Sequence, residues 1–324
     1  MNYIDQHMHS SFSFDSEALL EDYLRATDNL IVSTEHLDLE DPTVGFIDRP
    51  LSLPDYFKTV DLLNEKYHNR LLRGLEVGWS PRVHERILSI LKSYEFDLIL
   101  LSLHHNGEYD YMNRSANLER DPEKLIPTYL DLLYQGVEAM GQHVNVMAHF
   151  DYGFRVVHIT SQQLEKYGKR QLVRLFNLLI ENDIAFEINT SSIVRHNNLE
   201  LYKYALDLYL ECGGKLLTLG SDAHFVNDYQ RVFGDAVEYL DSLGIEHLTY
   251  YIGQRPHLVS IKSLLYILNN HGCGCFFVSL GVELYQYKCP IYLVVRTTGL
   301  GKYYNRIEIT LKEKRLTKLV DVKR

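Results

Sequence analysis

Histidine and carboxylate residues recur along this chain at spacings suited to metal binding. They stand in His7-x-His9, Thr34-Glu35-His36, Gly74-Leu75-Glu76, Ser102-Leu103-His104-His105, Ala148-His149 and Ser221-Asp222-Ala223-His224. Imidazole nitrogen and carboxylate oxygen, with no organised thiolate, suit Zn, Mn or Fe rather than a soft-metal or iron–sulfur site. The pair His7-x-His9 alone means little, because chance gives roughly 0.7 such pairs in a chain with this many histidines. Taken together, the candidates exceed the roughly four to six ligands that one ion needs. A cluster of two or three metals follows, with a carboxylate such as Glu76 placed to bridge. Clusters of this kind clamp the attacking and leaving oxygens of a phosphoester displacement and make hydroxide available at neutral pH.

Such residues must be gathered by elements that converge. Seven short apolar or β-rich runs can be read before residue 258, at 3–7, 30–34, 71–77, 97–103, 144–148, 185–190 and 215–220. Most are separated by amphipathic stretches near 17–28, 54–68, 82–94, 122–141, 161–182, 199–211 and 229–243. Continuous apolar runs such as Leu98-Ile99-Leu100-Leu101 predict strands buried on both faces, as in a parallel sheet. Asp121-Pro122 places proline at a first helical position, and Thr160-x-x-Gln163 fits a capping box. Alternation of this kind predicts an α/β fold, either a barrel or a doubly wound sheet. All but one of the runs end in His, Asp or Glu, and the exception ends in Asn189-Thr190. Only a barrel or a similar fold brings the C-terminal ends of all its strands around one opening.

Composition limits the function classes. The 324 residues are 46% hydrophobic and 23% charged, ordinary for a globular protein with a sizeable core. No apolar run approaches the roughly 18–20 residues that span a bilayer. The first residues have neither a basic nor an apolar leader region, and the four cysteines form no disulfide framework, so a cytoplasmic setting is expected. The net charge of −10 argues against a sequence-blind nucleic-acid binder. Charge is also uneven: residues 259–324 hold 11 Lys/Arg against 4 Asp/Glu, while residues 1–258 hold 22 against 39. A domain boundary is therefore expected near residue 258, between an acidic body (1–258) and a basic C-terminal extension (259–324), β-rich or irregular and of open role. There is no nucleophile elbow, no glycine-rich phosphate loop and no paired CxxC. Cys273-x-Cys275 is too closely spaced for a zinc knuckle, and the 24 tyrosines are expected to pack rather than to stack bases. No motif specifies an oligomeric state.

In order and spacing, Asp5-x-His7-x-His9-Ser10, Thr34-Glu35-His36, Gly74-x-Glu76, Ser102-x-His104, Ala148-His149 and Ser221-Asp222-Ala223-His224 resemble the motif signature of the polymerase-and-histidinol-phosphatase (PHP) superfamily. Within it, the body is most similar to the stand-alone histidinol-phosphate phosphatases. The resemblance implies a distorted (β/α)7 barrel with a trinuclear metal centre. It places His7, His9, Glu76 and Asp222 on a first metal, Glu76, His104 and His149 on a second, and Asp15, His36 and His224 on a third. Asp15 escapes the strand-end test, because it lies in the loop after the first run.

A phosphomonoester also needs cations for oxygens that the metals do not hold, and the planar fork of arginine suits phosphate. Arg155 and Arg195 fall just beyond expected strand ends, at positions similar to the phosphate-contacting arginines of the histidinol phosphatases. His105 and His196 adjoin these elements as further substrate contacts. The resemblance implies hydrolysis of L-histidinol phosphate, a small phosphomonoester, with Glu76, Asp222, Arg155 and Arg195 as the catalytic set. The proton source for the leaving alkoxide stays open between a water in the metal centre and the neighbourhood of Asp222. Two other readings also stay open: a phosphoesterase of this superfamily acting on a protein-tyrosine, nucleotide or sugar phosphate, and a catalytically silent scaffold. The acidic body favours a substrate bearing an amine and an imidazole over a polyanion, and no ligand position is missing, as it would be in a silent scaffold.

Overall fold

The computed structural model describes residues 3–117, 119–270, 308–311 and 314–317, with side chains through Leu265. Six strands, β1 (Ile31–Asp38), β2 (Leu71–Gly78), β3 (Leu98–Ser102), β4 (Val146–Met147), β5 (Ala185–Asn189) and β6 (Leu217–Gly220), form one sheet in sequence order. Every pairing in it is parallel. The connections carry α1 (Leu20–Ala26) before β1, then α2 (Leu53–Tyr67), α3 (His84–Leu91), the short α4 (Arg114–Asn117), α5 (Pro122–Met140), α6 (Ser161–Glu181), α7 (Thr190–Arg195), α8 (Leu199–Glu211) and α9 (Phe233–Ser242). The start signals operate as expected. Asp121 caps α5 by accepting from the N–H of Glu123, and Thr160 and Gln163 exchange hydrogen bonds at the start of α6.

β1 and β3 are buried along their whole length, because helices cover one face and the curled interior covers the other. The interior holds Val32, Leu98, Leu100, Val146, Ala148 and Ala185, whereas the larger cluster lies between sheet and helices. Many tyrosines are core residues, Tyr23, Tyr56, Tyr129 and Tyr209 among them. Among the described residues no helix is long and apolar enough to cross a membrane.

The expected first strand at 3–7 is not a regular strand. Residues 6–9 instead close the gap between β6 and β1. The Gln6 N–H donates to Leu219 O, Asp222 N–H to His7 O and His9 N–H to Ala223 O, while Thr34 N–H on β1 donates to Met8 O, at 2.8–3.1 Å. The backbone leaves strand geometry there because Asp5 Oδ1 accepts from the N–H groups of both His7 and Ser221, in place of a ladder partner. Seven segments therefore close the barrel, six as strands.

A hairpin, β7 (His247–Ile252) and β8 (Arg255–Ser260), follows α9 and was not expected from the sequence. Its tight turn has both Gly253 and Gln254 at positive φ, and β8 mixes polar and apolar residues, mostly exposed, rather than forming an apolar run. The hairpin seals the end of the barrel opposite the metal-ligand candidates. The Tyr251 N–H donates to Gln6 Oε1, and Gly253 and Gln254 donate to Asp97 at the start of β3. The Tyr251 ring completes the interior cluster. The boundary expected from charge near residue 258 therefore falls inside β8, and Ile261 and Leu264 of α10 (Ile261–Asn270) are buried beyond it. The chain divides into compact units at Met1–Leu265 and Tyr266–Arg324. In the second unit, the described residues after α10 are two antiparallel strands, β9 (Glu308–Leu311) paired with β10 (Lys314–Thr317). Cys273 and Cys275 lie outside the described residues.

Candidate active site

The C-terminal ends of the strands put the candidate ligands in one place. In the parallel register His36 on β1 stands opposite Glu76 on β2. Alternation along β1 sends His36 and Asp38 to one face and Glu35 to the other, where Glu35 is held by Ser10, Ser13 and Ser33. Glu76 is fully buried at the centre. Its Oε1 lies 2.7 Å from His149 Nε2 and 3.2 Å from His104 Nε2. Its Oε2 lies 3.0 Å from His36 Nδ1, 3.2 Å from His7 Nε2 and 3.4 Å from His9 Nε2. Asp222 Oδ1 is 3.4 Å from His9 Nε2 and 3.7 Å from His7 Nε2. Asp15 Oδ2 sits 3.1 Å from His224 Nε2 and 3.5 Å from His36 Nε2. All nine expected ligands thus lie around one barrel mouth, with contacts that cross between the three expected sets, as where His36 Nδ1 meets Glu76 Oε2.

The hydrogen bonds behind this cluster fix which ring nitrogens face inward as acceptors. His7 Nδ1 donates to Glu187 Oε1 at 2.8 Å, and His104 Nδ1 donates to Asp38 Oδ1 at 2.8 Å. Ser13 Oγ gives its proton to Glu35 at 2.6 Å, so it accepts from His9 Nδ1 at 3.2 Å. The Nε2 atoms of His7, His9 and His104 therefore carry lone pairs. Those lone pairs face one another and the Glu76 and Asp222 oxygens; His7 Nε2 and His9 Nε2 are only 3.1 Å apart. Glu76 Oε2 and Asp38 Oδ2 are buried without any hydrogen-bond donor. Ser102 Oγ donates to Glu76 Oε1, but a buried cage this rich in acceptors repels itself unless cations occupy it. Among the described residues, four overlapping trios, including His7/His9/Glu76, His36/Glu76/His104 and His9/His36/His224, bring ligand atoms within 4.8 Å of one another. The donor set fits divalent transition ions.

With no cation in the cage, its carboxylates draw protons onto the histidines in the place a metal would take. Burial would lower the pKa of His7, but Glu187, Glu76 and Asp222 push it well above the ordinary histidine value. His104 is raised to about 10 by Asp38 and Glu76 against the same burial penalty. Burial and its neighbours His36 and His224 lower His9 to about 3. Despite burial, Glu76 and Asp222 are held well below the carboxylate range by the surrounding histidines.

A cavity of about 560 Å³ opens over the cluster. Arg155 and Arg195 both line it, as does His105, whose pKa burial lowers. Arg155 is buried and donates to Ser192 Oγ, while Arg195, at the last position of α7, is more exposed and pairs with Asp228. His196 is not among the residues that line the cavity. It is the C-cap of α7, and burial lowers its pKa to about 4.

Three residues escaped the sequence reading. Glu187 on β5 accepts from His7 Nδ1, from the His149 N–H at 2.7 Å and from Asn189 Nδ2 at 3.1 Å. Alternation along 185, 187 and 189 points it into the barrel, a signal that was available. Gly220 makes room for it, since a Cβ there would collide with the Glu187 carboxylate. Asp38 backs His104 in the same way, against Gly78. Arg49, far along the loop after β1, lines the cavity, pairs with Asp41 and lies 4.2 Å over the Phe14 ring. No spacing rule reaches it.

A family model described as "PHP domain" matches residues 5–191. The chain is 27% identical over 252 residues to a "Probable histidinol-phosphatase" of Clostridium acetobutylicum, covering 75% of this chain and 94% of that protein. It is 28% identical over 250 residues to a "Probable histidinol-phosphatase" of Thermotoga maritima, covering 76% and 94%. It is also 28% identical over 234 residues to the histidinol-phosphatase of Lactococcus lactis, covering 69% and 85%. The crystal structure of a histidinol phosphate phosphatase from Lactococcus lactis, complexed with zinc, L-histidinol and phosphate, superposes with a TM-score of 0.69 at 24% identity, over 79% of this chain and 99% of that one. It shares the fold. With the family model matched over more than half of its length, and the motif residues gathered at one barrel mouth, the chain belongs to the PHP domain family.

Proposed function

We propose that this chain is a metal-dependent phosphomonoesterase that hydrolyses L-histidinol phosphate to L-histidinol and phosphate. The observation that carries the reading is the buried, acceptor-rich cage of histidines and carboxylates, opening into the same cavity as two arginines. The relatives named as histidinol-phosphatases, and the fold shared with an enzyme crystallised with zinc, histidinol and phosphate, support the substrate. His7, His9, Glu76 and Asp222 would hold one ion, Glu76, His104 and His149 a second, and Asp15, His36 and His224 a third. Zn, Mn or Fe ions bound there would polarise the phosphoryl oxygens and make water acidic enough to act as a nucleophile.

The chain's own residues do the rest. Arg155 and Arg195 bind phosphoryl oxygens and take up the negative charge that grows in the transition state. Glu187, Asp38 and Ser13 hold the His7, His104 and His9 rings in the tautomer whose Nε2 is free to bind. Half-buried Asp110 also lines the cavity, and desolvation pushes it up to about 6. Ionised above that pH, a carboxylate there suits the cationic end of an amino-alcohol phosphate and repels a polyanion.

The test is a phosphomonoester panel with the metal-loaded, full-length protein. Histidinol phosphate is expected to exceed p-nitrophenyl phosphate and a mononucleotide in kcat/KM by at least about tenfold, or roughly 1.4 kcal/mol of transition-state binding. Equal rates across the panel would remove the substrate assignment. Undiminished rates after chelation would remove the metal.

A further inference from the structure

Of the three arginines that line the cavity, Arg155 is the buried one: its side chain is 6% exposed, against 23% for Arg49 and 37% for Arg195. A buried guanidinium is oriented by whatever accepts from its fork. Arg155 Nε and Nη2 both donate to Ser192 Oγ, at 3.1 and 2.6 Å, and Nη2 also reaches Asp222 Oδ2 more weakly at 3.5 Å. A hydroxyl has one proton to give. That of Ser192 goes to Asp151 Oδ1 at 2.9 Å, so both Ser192 lone pairs accept from one edge of the guanidinium.

Asp151 is fully buried and firmly held. Its Oδ1 also accepts from the Tyr202 hydroxyl at 2.9 Å, and its Oδ2 accepts from Asn198 Nδ2 at 2.6 Å. The Ser192 backbone is fixed as well, its N–H donating to Asn189 Oδ1 at 2.9 Å in the first turn of α7. The Tyr152 ring lies 4.9 Å from the guanidinium carbon. With the Nε/Nη2 edge engaged, Arg155 Nη1 has no hydrogen-bond partner among the described residues.

We propose that Asp151 and Ser192 are positioning residues for Arg155. Asp151 commits the Ser192 proton, and Ser192 then turns the guanidinium so that its Nη1 side is presented to the phosphoryl group. The proposal rests on the phosphatase reading above and names a means of phosphate recognition within that site.

The full-length, metal-loaded protein carrying Ser192→Ala tests it. Losing a charge-assisted hydrogen bond of this kind should lower kcat/KM by about tenfold and weaken competitive inhibition by inorganic phosphate by a similar factor. Ser192→Thr, which keeps the hydroxyl, should recover most of both. Asp151→Asn, which keeps the shape and removes the charge, should move both in the same direction as Ser192→Ala. In an Arg155→Ala background, Ser192→Ala should cost nothing further, because it acts only through the guanidinium. The same loss in both backgrounds would overturn the proposal, since it would mark a merely structural serine. So would Ser192→Ala leaving both quantities within about threefold of wild type. Were the wild-type chain to hydrolyse no phosphomonoester, the phosphatase reading would fall, and calorimetric binding of inorganic phosphate to the same variants would still decide the positioning role.

Discussion

Replacing Glu187 by glutamine isolates a role that no ligand list contains. The carboxylate accepts from three directions: His7 Nδ1 on Oε1, and the His149 N–H and Asn189 Nδ2 on Oε2. A glutamine accepts at only one of its two terminal atoms. With its amide nitrogen at the Oε2 position it would oppose the His149 backbone N–H, which cannot turn away. With the nitrogen at the Oε1 position it faces His7, which can move its proton from Nδ1 to Nε2. The second arrangement costs less, but it puts a proton on the nitrogen that faces His9 Nε2 at 3.1 Å and Glu76 Oε2 at 3.2 Å. His7 is then lost as a ligand. Removing such a supporting group costs about 10–100-fold in metal affinity, or roughly 1.4–2.8 kcal/mol. That agrees with the roughly 1–3 kcal/mol of an orphaned buried donor. Zinc titration of the apo-protein against a chromogenic chelator should show one equivalent weakened by that factor and the others retained, with activity partly restored by excess metal. If every equivalent stays within about threefold of wild type, Glu187 merely fills the barrel and the tautomer argument is refuted.

Glu76→Ala should be the most damaging single ligand change, because five imidazole nitrogens approach its carboxylate within 2.7–3.4 Å; elemental analysis should show more metal lost than for His224→Ala. The native protein should carry two to three equivalents of transition metal and lose its phosphatase activity to a chelator, as metal analysis and assay together would show. Arg155→Ala should cost about 2–4 kcal/mol in kcat/KM without loss of metal, with Arg155→Lys recovering only part, since an ammonium cannot make a planar two-point contact. Arg195→Ala should cost less, about tenfold, because Arg195 is more exposed and already paired with Asp228; steady-state kinetics of both variants decides the order. Truncation after Leu265 should leave a folded, active enzyme, whereas truncation after Leu258 should not, because it removes the end of β8 and the buried Ile261 and Leu264; solubility and activity of the two truncated chains are the readout.

The metal centre was legible in the sequence because parallel strands end at one mouth. A residue type placed at each strand end therefore becomes a cluster without any further information, and His7, His36, Glu76, His104, His149 and Asp222 all obey this rule. The capping residues Asp121 and Thr160 were legible for a similar reason, since a helix start is decided within four residues. What needed the tertiary structure was everything set by partners distant in the chain. The closing segment at 6–9 is irregular because Asp5 bonds across to Ser221, and the β7–β8 hairpin is held by Gln6 and Asp97 rather than by an apolar pattern of its own. Glu187 and Asp38 look like ordinary strand carboxylates until the histidines they orient, 180 and 66 residues away, are brought against them. Arg155 and His196 show the same limit at the substrate side. Both follow a strand end in sequence, but only Arg155 lines the cavity and finds a buried serine to fix its fork, while His196 is the C-cap of α7. Residue type and spacing determined which chemistry this chain carries. The closing of the barrel decided which nitrogen of each ring, and which arginine, that chemistry can use.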